Sequence, residues 1–183
     1  MKRVVFLDRD GVINEDKAYV HQWEDFKFVP GAVDAMRRLI ERGFGLVIIT
    51  NQSGIAHGLF SEQQYFELRE AVRLYLIKNG IELLGIYHCP HHPLGTVSRY
   101  AVECSCKKTA PGLILQAAND FGINLSSSIL VGDKSSDIEA ARSAGVGAAY
   151  IVKSNNPEND LSSSRADGVF NDLAACVEYI FHG

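Results

Sequence analysis

Four polar clusters in this sequence hold side chains that do chemistry when gathered. Asp8-Arg9-Asp10-Gly11-Val12 puts two carboxylates two residues apart at the end of an apolar run. Thr50-Asn51-Gln52-Ser53-Gly54 combines hydroxyls with a turn whose backbone N–H groups suit an anion. Cys106-Lys107-Lys108-Thr109 supplies two ammonium groups, and Gly132-Asp133-Lys134-Ser135-Ser136-Asp137 supplies further carboxylates. A model aspartate titrates near ~3.9, so Asp8, Asp10 and Asp133 would be ionised and repel one another if brought together. A hard divalent cation resolves that repulsion, and Mg²⁺ favours one or two carboxylates with waters and a phosphate. A phosphate monoester carries about −1.5 to −2 charges near pH 7. A cation, Lys108 and the hydroxyls of Thr50 and Ser53 together make a receptor for it. Taken singly, each cluster fits a bland reading: Asp-Gly ends a strand in a turn, and Lys107-Lys108 is a solvated pair. Their coincidence points to phosphate chemistry.

A second constellation is Cys89-x-His91 with Cys104-x-Cys106. Three thiolates and one imidazole form a closed tetrahedral set, the pattern of structural rather than catalytic zinc. The intervening residues 92–103 have little apolar content to fold on unaided. On residue type alone His88 and His92 are neighbouring candidates for the fourth ligand. Cys176, in the apolar stretch 173–181, reads as a small buried hydrophobe.

The elements that must position these groups follow from periodicity. Short apolar runs at 4–7, 46–49, 129–131 and 148–152 read as buried strands, with a weaker candidate at 81–87 and an edge candidate at 168–170. Val33, Met36, Leu39 and Ile40 recur at helical spacing. Ser61 with Gln64 makes a capping box for a long helix closed by Gly80, and Ser136 with Glu139 is expected to box a later one. Pro111 suits the first turn of a helix ending at Gly122. Strands alternating with helices indicate an α/β, doubly wound, Rossmann-like parallel sheet. Ligands of such sheets bind outside the carboxyl ends of the strands, where the polar clusters fall. The Ser/Asn/Asp-rich segment 153–167 reads as a solvated loop.

Length and composition set the outer limits. The 183 residues, 46% hydrophobic and 22% charged, suit one soluble domain spanning 1–183 with the zinc loop 88–110 inserted. The net charge of −4 argues against a nucleic-acid or anionic-membrane surface. No stretch approaches the ~20 apolar residues of a membrane span, and the run at 4–7 is too short for a signal peptide, so a cytoplasmic protein is expected. A zinc-ribbon nucleic-acid module is the different-class alternative, opposed by the negative charge and the lack of a basic, aromatic-interleaved face. Oligomeric state is not encoded in these features.

The four clusters, in this order, resemble the motifs of the haloacid dehalogenase (HAD) superfamily of aspartate-nucleophile phosphatases. Residues 50–56 (Thr-Asn-Gln-Ser-Gly-Ile-Ala) and Cys89-Pro90-His91-His92-Pro93 through Cys104-x-Cys106 are similar to the histidinol-phosphatase-like family within it. That family includes sugar-bisphosphate and histidinol-phosphate phosphatases. The resemblance runs from about residue 3 to about residue 152. It implies a HAD-like fold without a large cap domain, with Asp8 as nucleophile and Asp10 as general acid/base. It implies Mg²⁺ on the Asp8 carboxylate, the Asp10 backbone carbonyl and the Asp133 carboxylate, with Thr50 and Lys108 on the phosphoryl group. The zinc ligands implied are Cys89, His91, Cys104 and Cys106. Asp16 to Tyr19, the turn at Asn51, Gln52 and Ser53, Lys107 and Lys134 match positions lining the pocket of a small sugar bisphosphate; histidinol phosphate is the alternative substrate. Two positions depart from the family pattern: Lys107 replaces the usual arginine before the catalytic lysine, and Thr109 the usual proline after it. Lysine keeps the charge but not the bidentate fork of arginine.

Overall fold

The computed structural model describes residues 2–156, 159, 161 and 165–182. Six strands, β1 (Val4–Leu7), β2 (Gly45–Asn51), β3 (Gly85–Cys89), β4 (Ile129–Gly132), β5 (Ala148–Val152) and β6 (Gly168–Phe170), form one sheet. All pairings are parallel, and the order is β3-β2-β1-β4-β5-β6. This is the expected doubly wound arrangement. The chain starts mid-sheet, winds outward to β3, then returns to β4 on the other side of β1. The carboxyl ends of β1 and β4 therefore flank the crevice where such sheets bind ligands.

Side chains alternate across each strand, and both faces are covered by helices. Val5, Leu7, Leu46 and Ile48 pack against α1 (Ala32–Glu41), α2 (Glu62–Lys78) and α5 (Leu173–His182), with Met36, Leu68 and Val177 at the contacts. Val4, Phe6, Val47 and Ile49 pack against α3 (Gly112–Phe121) and α4 (Ser135–Ala144) through Leu113, Ile114 and Ile138. Burial on both faces explains why these strands read as unbroken apolar runs. Cys176 is buried in the first cluster, as expected. A third small cluster, Ile55, Ala56, Phe60, Tyr65 and Tyr100, lies between the turn after β2 and the loop after β3.

The Ser61–Gln64 capping box forms: Gln64 N–H donates to Ser61 Oγ at 3.1 Å, and Ser61 N–H to Gln64 Oε1 at 2.8 Å. Three expectations are corrected. The helix at 135–144 is not boxed by Ser136 and Glu139; it begins after Lys134, and Asp137 at its third position accepts from Asp133 N–H and Lys134 N–H at 3.2 and 3.1 Å. The strand expected over 81–87 pairs only from Gly85 and runs on to Cys89, because its register against β2 opens at Val47. Ile81 instead closes the end of α2, its N–H donating to Leu76 O at 2.9 Å. The segment 153–167 is not simply solvated: Ser154, Asn156 and Asn159 bond back to the strand-end loops. Residues 157, 158, 160 and 162–164 of that segment lie outside the described residues. Among the described residues the strands all belong to the one sheet, no large cap domain is inserted, and no helix is long and apolar enough to cross a membrane.

Candidate active site

Asp8 follows β1, its N–H donating to Val131 O of β4 at 3.0 Å, which seats it at the switch point of the sheet. Lys108 Nζ lies 2.5 Å from Asp8 Oδ1 and 2.6 Å from Asp137 Oδ1, and donates to Ile49 O at 3.2 Å. Asn51 clamps the lysine's backbone: its Nδ2 donates to Lys108 O at 3.0 Å and its Oδ1 accepts Lys108 N–H at 3.1 Å. The Asn51 side chain thus aims the ammonium while the residue also lines the cleft.

Asp10 is held from three directions. Arg9 grips both oxygens, Nε on Oδ2 at 3.1 Å and Nη2 on Oδ1 at 2.8 Å. Asn14 Nδ2 adds a bond to Oδ1 at 3.0 Å, and Gln52 Nε2 one to Oδ2 at 3.1 Å. Gln52 also donates to Thr50 Oγ1 at 2.9 Å, tying the turn after β2 to the carboxylate.

The turn after Asp10 needs a glycine. Gly11 has φ +90, and a Cβ there would stand 2.5 Å from Asp133 Oδ2. Asp133, fully buried, accepts Ser154 Oγ on Oδ2 at 2.7 Å, and its backbone oxygen accepts Asn159 Nδ2 at 2.5 Å. Its other oxygen, Oδ1, is buried with no hydrogen-bond partner among the described residues. Asp8, Asp133 and Asp137 each offer a carboxylate oxygen, all within 4.8 Å of one another.

Crowding perturbs these groups. Burial pushes Asp8 up to about 8; Lys108 pulls against this, while Asp137 and Asp133 add repulsion. Burial and Asp137 push Asp133 up to about 6, opposed by Ser154 and by Lys134 and Lys108. Burial alone would lower Lys108, but Asp137 and Asp8 more than offset it and hold the ammonium above its ordinary value. One ammonium against three converging carboxylates leaves the cluster short of positive charge, which a divalent cation would supply.

These groups open into a cleft of about 590 Å³. It brings together Asp8, Asp10, Asp16, Tyr19, Thr50, Asn51, Gln52, Ser53, Lys107, Lys108 and Lys134, with Asp133 beneath. Ala18 and Tyr19 both adopt left-handed backbone, φ 54 and 55, stabilised where Asp16 Oδ1 accepts Ala18 N–H at 2.9 Å. Such backbone in non-glycine residues costs about 1–2 kcal/mol each and concentrates at ligand sites. Sequence reasoning missed Ser154 and Asn156, which reach the site only through tertiary contacts, and gave no role to Arg9, which grips the next residue in the chain. Asp137 stood inside a recognised motif without a role of its own. His57 and His92 also line the cleft.

The four zinc candidates meet. Cys89 Sγ lies 3.6 Å from Cys104 Sγ and 3.1 Å from Cys106 Sγ, with Cys104 and Cys106 3.3 Å apart. His91 Nδ1 is 3.8 Å from Cys89 Sγ and 3.3 Å from Cys106 Sγ. His88 turns elsewhere, its Nε2 lying 3.0 Å from Glu62 Oε1, and His92 is not part of the cluster. The cluster could hold a metal, and Cys106 stands two residues before Lys108.

The parallel order and an aspartate at the end of the central strand facing a buried lysine agree with the resemblance to the haloacid dehalogenase class of phosphatases. Residues 105–176 match the family model described as HAD-hydrolase-like. The D-glycero-β-D-manno-heptose-1,7-bisphosphate 7-phosphatase of Yersinia pestis is 45% identical over 170 residues, 93% of this chain and 90% of that protein. The protein of the same name from Vibrio cholerae is 41% identical over 98% of this chain and 96% of its own length. A crystal structure of the D,D-heptose 1,7-bisphosphate phosphatase from B. bronchiseptica, complexed with magnesium and phosphate, superimposes with a TM-score of 0.84. It is 31% identical and covers 100% of this chain and 99% of its own. The chain belongs to this family of HAD phosphatases and is a phosphoric monoester hydrolase. These relatives do not favour the zinc-ribbon alternative.

Proposed function

We propose that the protein removes the 7-phosphate of D-glycero-β-D-manno-heptose 1,7-bisphosphate, leaving the 1-phosphate. The observation that carries this is one cleft holding Asp8, Asp10, Thr50 and Lys108 in a chain 45% identical to phosphatases of that name. Asp8 attacks phosphorus, forming an aspartyl-phosphate as the bond to the sugar oxygen breaks. Asp10, in its protonated form, gives that oxygen its proton, then takes one from the water that hydrolyses the acyl phosphate. Arg9, Asn14 and Gln52 hold Asp10 in place for both steps. Lys108 and the Thr50 hydroxyl grip the phosphoryl oxygens, and Lys108 offsets the charge that gathers on them.

The donor set fits Mg²⁺: hard carboxylate oxygens of Asp8 and Asp133, with the Asp10 backbone carbonyl, and an orphaned Asp133 Oδ1 awaiting a partner. Asp137 extends this set while pairing with Lys108. When bound, the ion would neutralise the site and polarise the phosphate. The Cys89, His91, Cys104 and Cys106 cluster fits structural zinc by its soft donors and closed set. It would anchor the 88–110 loop and the backbone that presents Lys108. The 183 residues would act as one phosphatase domain in the cytoplasm, on a small sugar bisphosphate, without nucleic acid or membrane.

Asp16, Tyr19, Ser53, Lys107 and Lys134 are proposed to contact the sugar phosphate. Lys107 and Lys134 add charge beyond what one phosphate needs, and would repel the amine of histidinol phosphate by about 1–4 kcal/mol at ~4 Å. The test is kcat/KM for the bisphosphate and for histidinol phosphate side by side. The bisphosphate should be preferred at least fivefold; parity or a reversed preference overturns the assignment.

A further inference from the structure

The carboxylates that converge at the switch point do not stand free at both oxygens. Lys108 Nζ occupies Asp8 Oδ1 at 2.5 Å. Ser154 Oγ donates to Asp133 Oδ2 at 2.7 Å, while Asp133 Oδ1 is buried with no hydrogen-bond partner among the described residues. Each aspartate has one oxygen engaged and offers a cation the other.

Ser154 is itself fixed. It follows β5, and its hydroxyl accepts Asn156 N–H at 3.2 Å, so its single proton goes to Asp133. Lys153 N–H donates to Phe170 O of β6 at 2.9 Å, and Ser154 N–H to Asn159 Oδ1 at 3.3 Å. Asn159 Nδ2 in turn donates to Val152 O at 3.1 Å and to Asp133 O at 2.5 Å, which ties the segment after β5 to the aspartate's own backbone. Gly11 leaves room for the pair, since a Cβ there would stand 2.5 Å from Asp133 Oδ2 and 2.9 Å from Ser154 Cβ. Both ends of the Ser154–Asp133 bond are anchored through backbone.

We propose that Ser154 is a positioning residue that holds Asp133 to one-oxygen ligation and thereby favours Mg²⁺ over Ca²⁺. The proposal rests on the Mg²⁺ reading above and goes beyond it to the choice of ion. Mg²⁺ demands near-ideal octahedral geometry and keeps several waters, whereas Ca²⁺ takes more oxygens and accepts both from one carboxylate. A carboxylate that presents Oδ1 alone fills one octahedral corner and denies the larger ion its second oxygen. Ser154 is not among the residues lining the cleft, so its effect runs through Asp133.

The test is calorimetric titration of the full chain, freed of Mg²⁺ by brief EDTA treatment, with Mg²⁺ and separately with Ca²⁺ in phosphate-free buffer. Ser154→Ala removes the hydroxyl, and Ser154→Thr keeps it. Ser154→Ala should weaken Mg²⁺ binding about tenfold, the scale on which loss of a partner behind a metal ligand acts, and change Ca²⁺ binding by no more than about twofold. The Mg²⁺-to-Ca²⁺ affinity ratio should therefore fall about fivefold or more, and Ser154→Thr should restore most of it. Ser154→Cys, a weak donor of similar size, should shift the ratio the same way to a smaller extent. Equal weakening for both ions, as a general loosening of the site would give, or an unchanged Mg²⁺ affinity overturns the proposal. So does a Ser154→Thr variant that behaves as Ser154→Ala. A wild-type enzyme that binds no Mg²⁺ overturns the reading of the metal site instead, and that result is visible before any variant is made.

Discussion

Asp8→Asn should abolish turnover and yet stabilise the protein when Mg²⁺ is absent. Buried beside Asp133 and Asp137, Asp8 holds its proton up to about 8 in the fold, against 3.8 as a model side chain. Between those values the folded state binds a proton that the unfolded state has released, so stability falls as pH rises and levels off above about 8. The interval from 3.8 to about 8, at about 1.36 kcal/mol per pH unit, sets an upper bound of roughly 6 kcal/mol at pH 8. An asparagine resembles the protonated acid and avoids this cost, while Lys108 keeps Asp137 at 2.6 Å. The net gain expected at pH 8 without Mg²⁺ is ~1–3 kcal/mol, or about 3–10 °C in Tm for a chain of this size. At pH 5 most of the gain should vanish. With saturating Mg²⁺ the order should reverse, because an amide is a poor ligand and wild type alone gains binding energy. The assay is thermal unfolding of both proteins at pH 5 and 8, in Mg²⁺-free buffer and with Mg²⁺ added. A variant less stable than wild type at pH 8 without Mg²⁺, or a Tm difference indifferent to pH, would refute the crowded-carboxylate account of the site.

Asp10→Asn should lower the steady-state rate by about 10²–10⁴. With an activated aryl ester, which needs no proton from Asp10, a trapped aspartyl-phosphate should still form; a normal rate with no intermediate removes Asp10 from the mechanism. Gly11→Ala should raise the Mg²⁺ concentration needed for half-maximal activity at least tenfold, since the new methyl displaces the Asp133 carboxylate; an unchanged Mg²⁺ titration argues against Asp133 as a ligand. Brief EDTA treatment should stop turnover, and added Mg²⁺ restore it, while elemental analysis still finds about one zinc per chain. Well below one zinc in gently purified protein counts against the Cys89–His91–Cys104–Cys106 site.

The strands and most helices are legible in the sequence because their signals are local. Val4–Leu7 is apolar at every position because helices cover both sheet faces, and the Ser61–Gln64 box announces α2 within four residues. The polar clusters at the strand ends, including Asp8, Thr50 and Asp133, follow from the same alternation, as does the spacing of Cys89, His91, Cys104 and Cys106. Where a choice depended on a partner far along the chain, sequence alone went astray or was silent. The cap expected from Ser136 and Glu139 forms two residues earlier, at Lys134 and Asp137, and only the path from β4 to α4 selects Asp137. Pairing with Val47 moved the start of β3 to Gly85. Ser154 reaches Asp133 across 21 residues, and Asn51 reaches Lys108 across 57. A hydroxyl or amide carries no periodicity that names its distant partner, so these contacts exist only once the sheet sets neighbouring strand ends side by side. The sequence by itself determined the chemical inventory and the elements that carry it. Tertiary structure alone decided which carboxylates crowd one ammonium, and that crowding is what makes the site demand a cation.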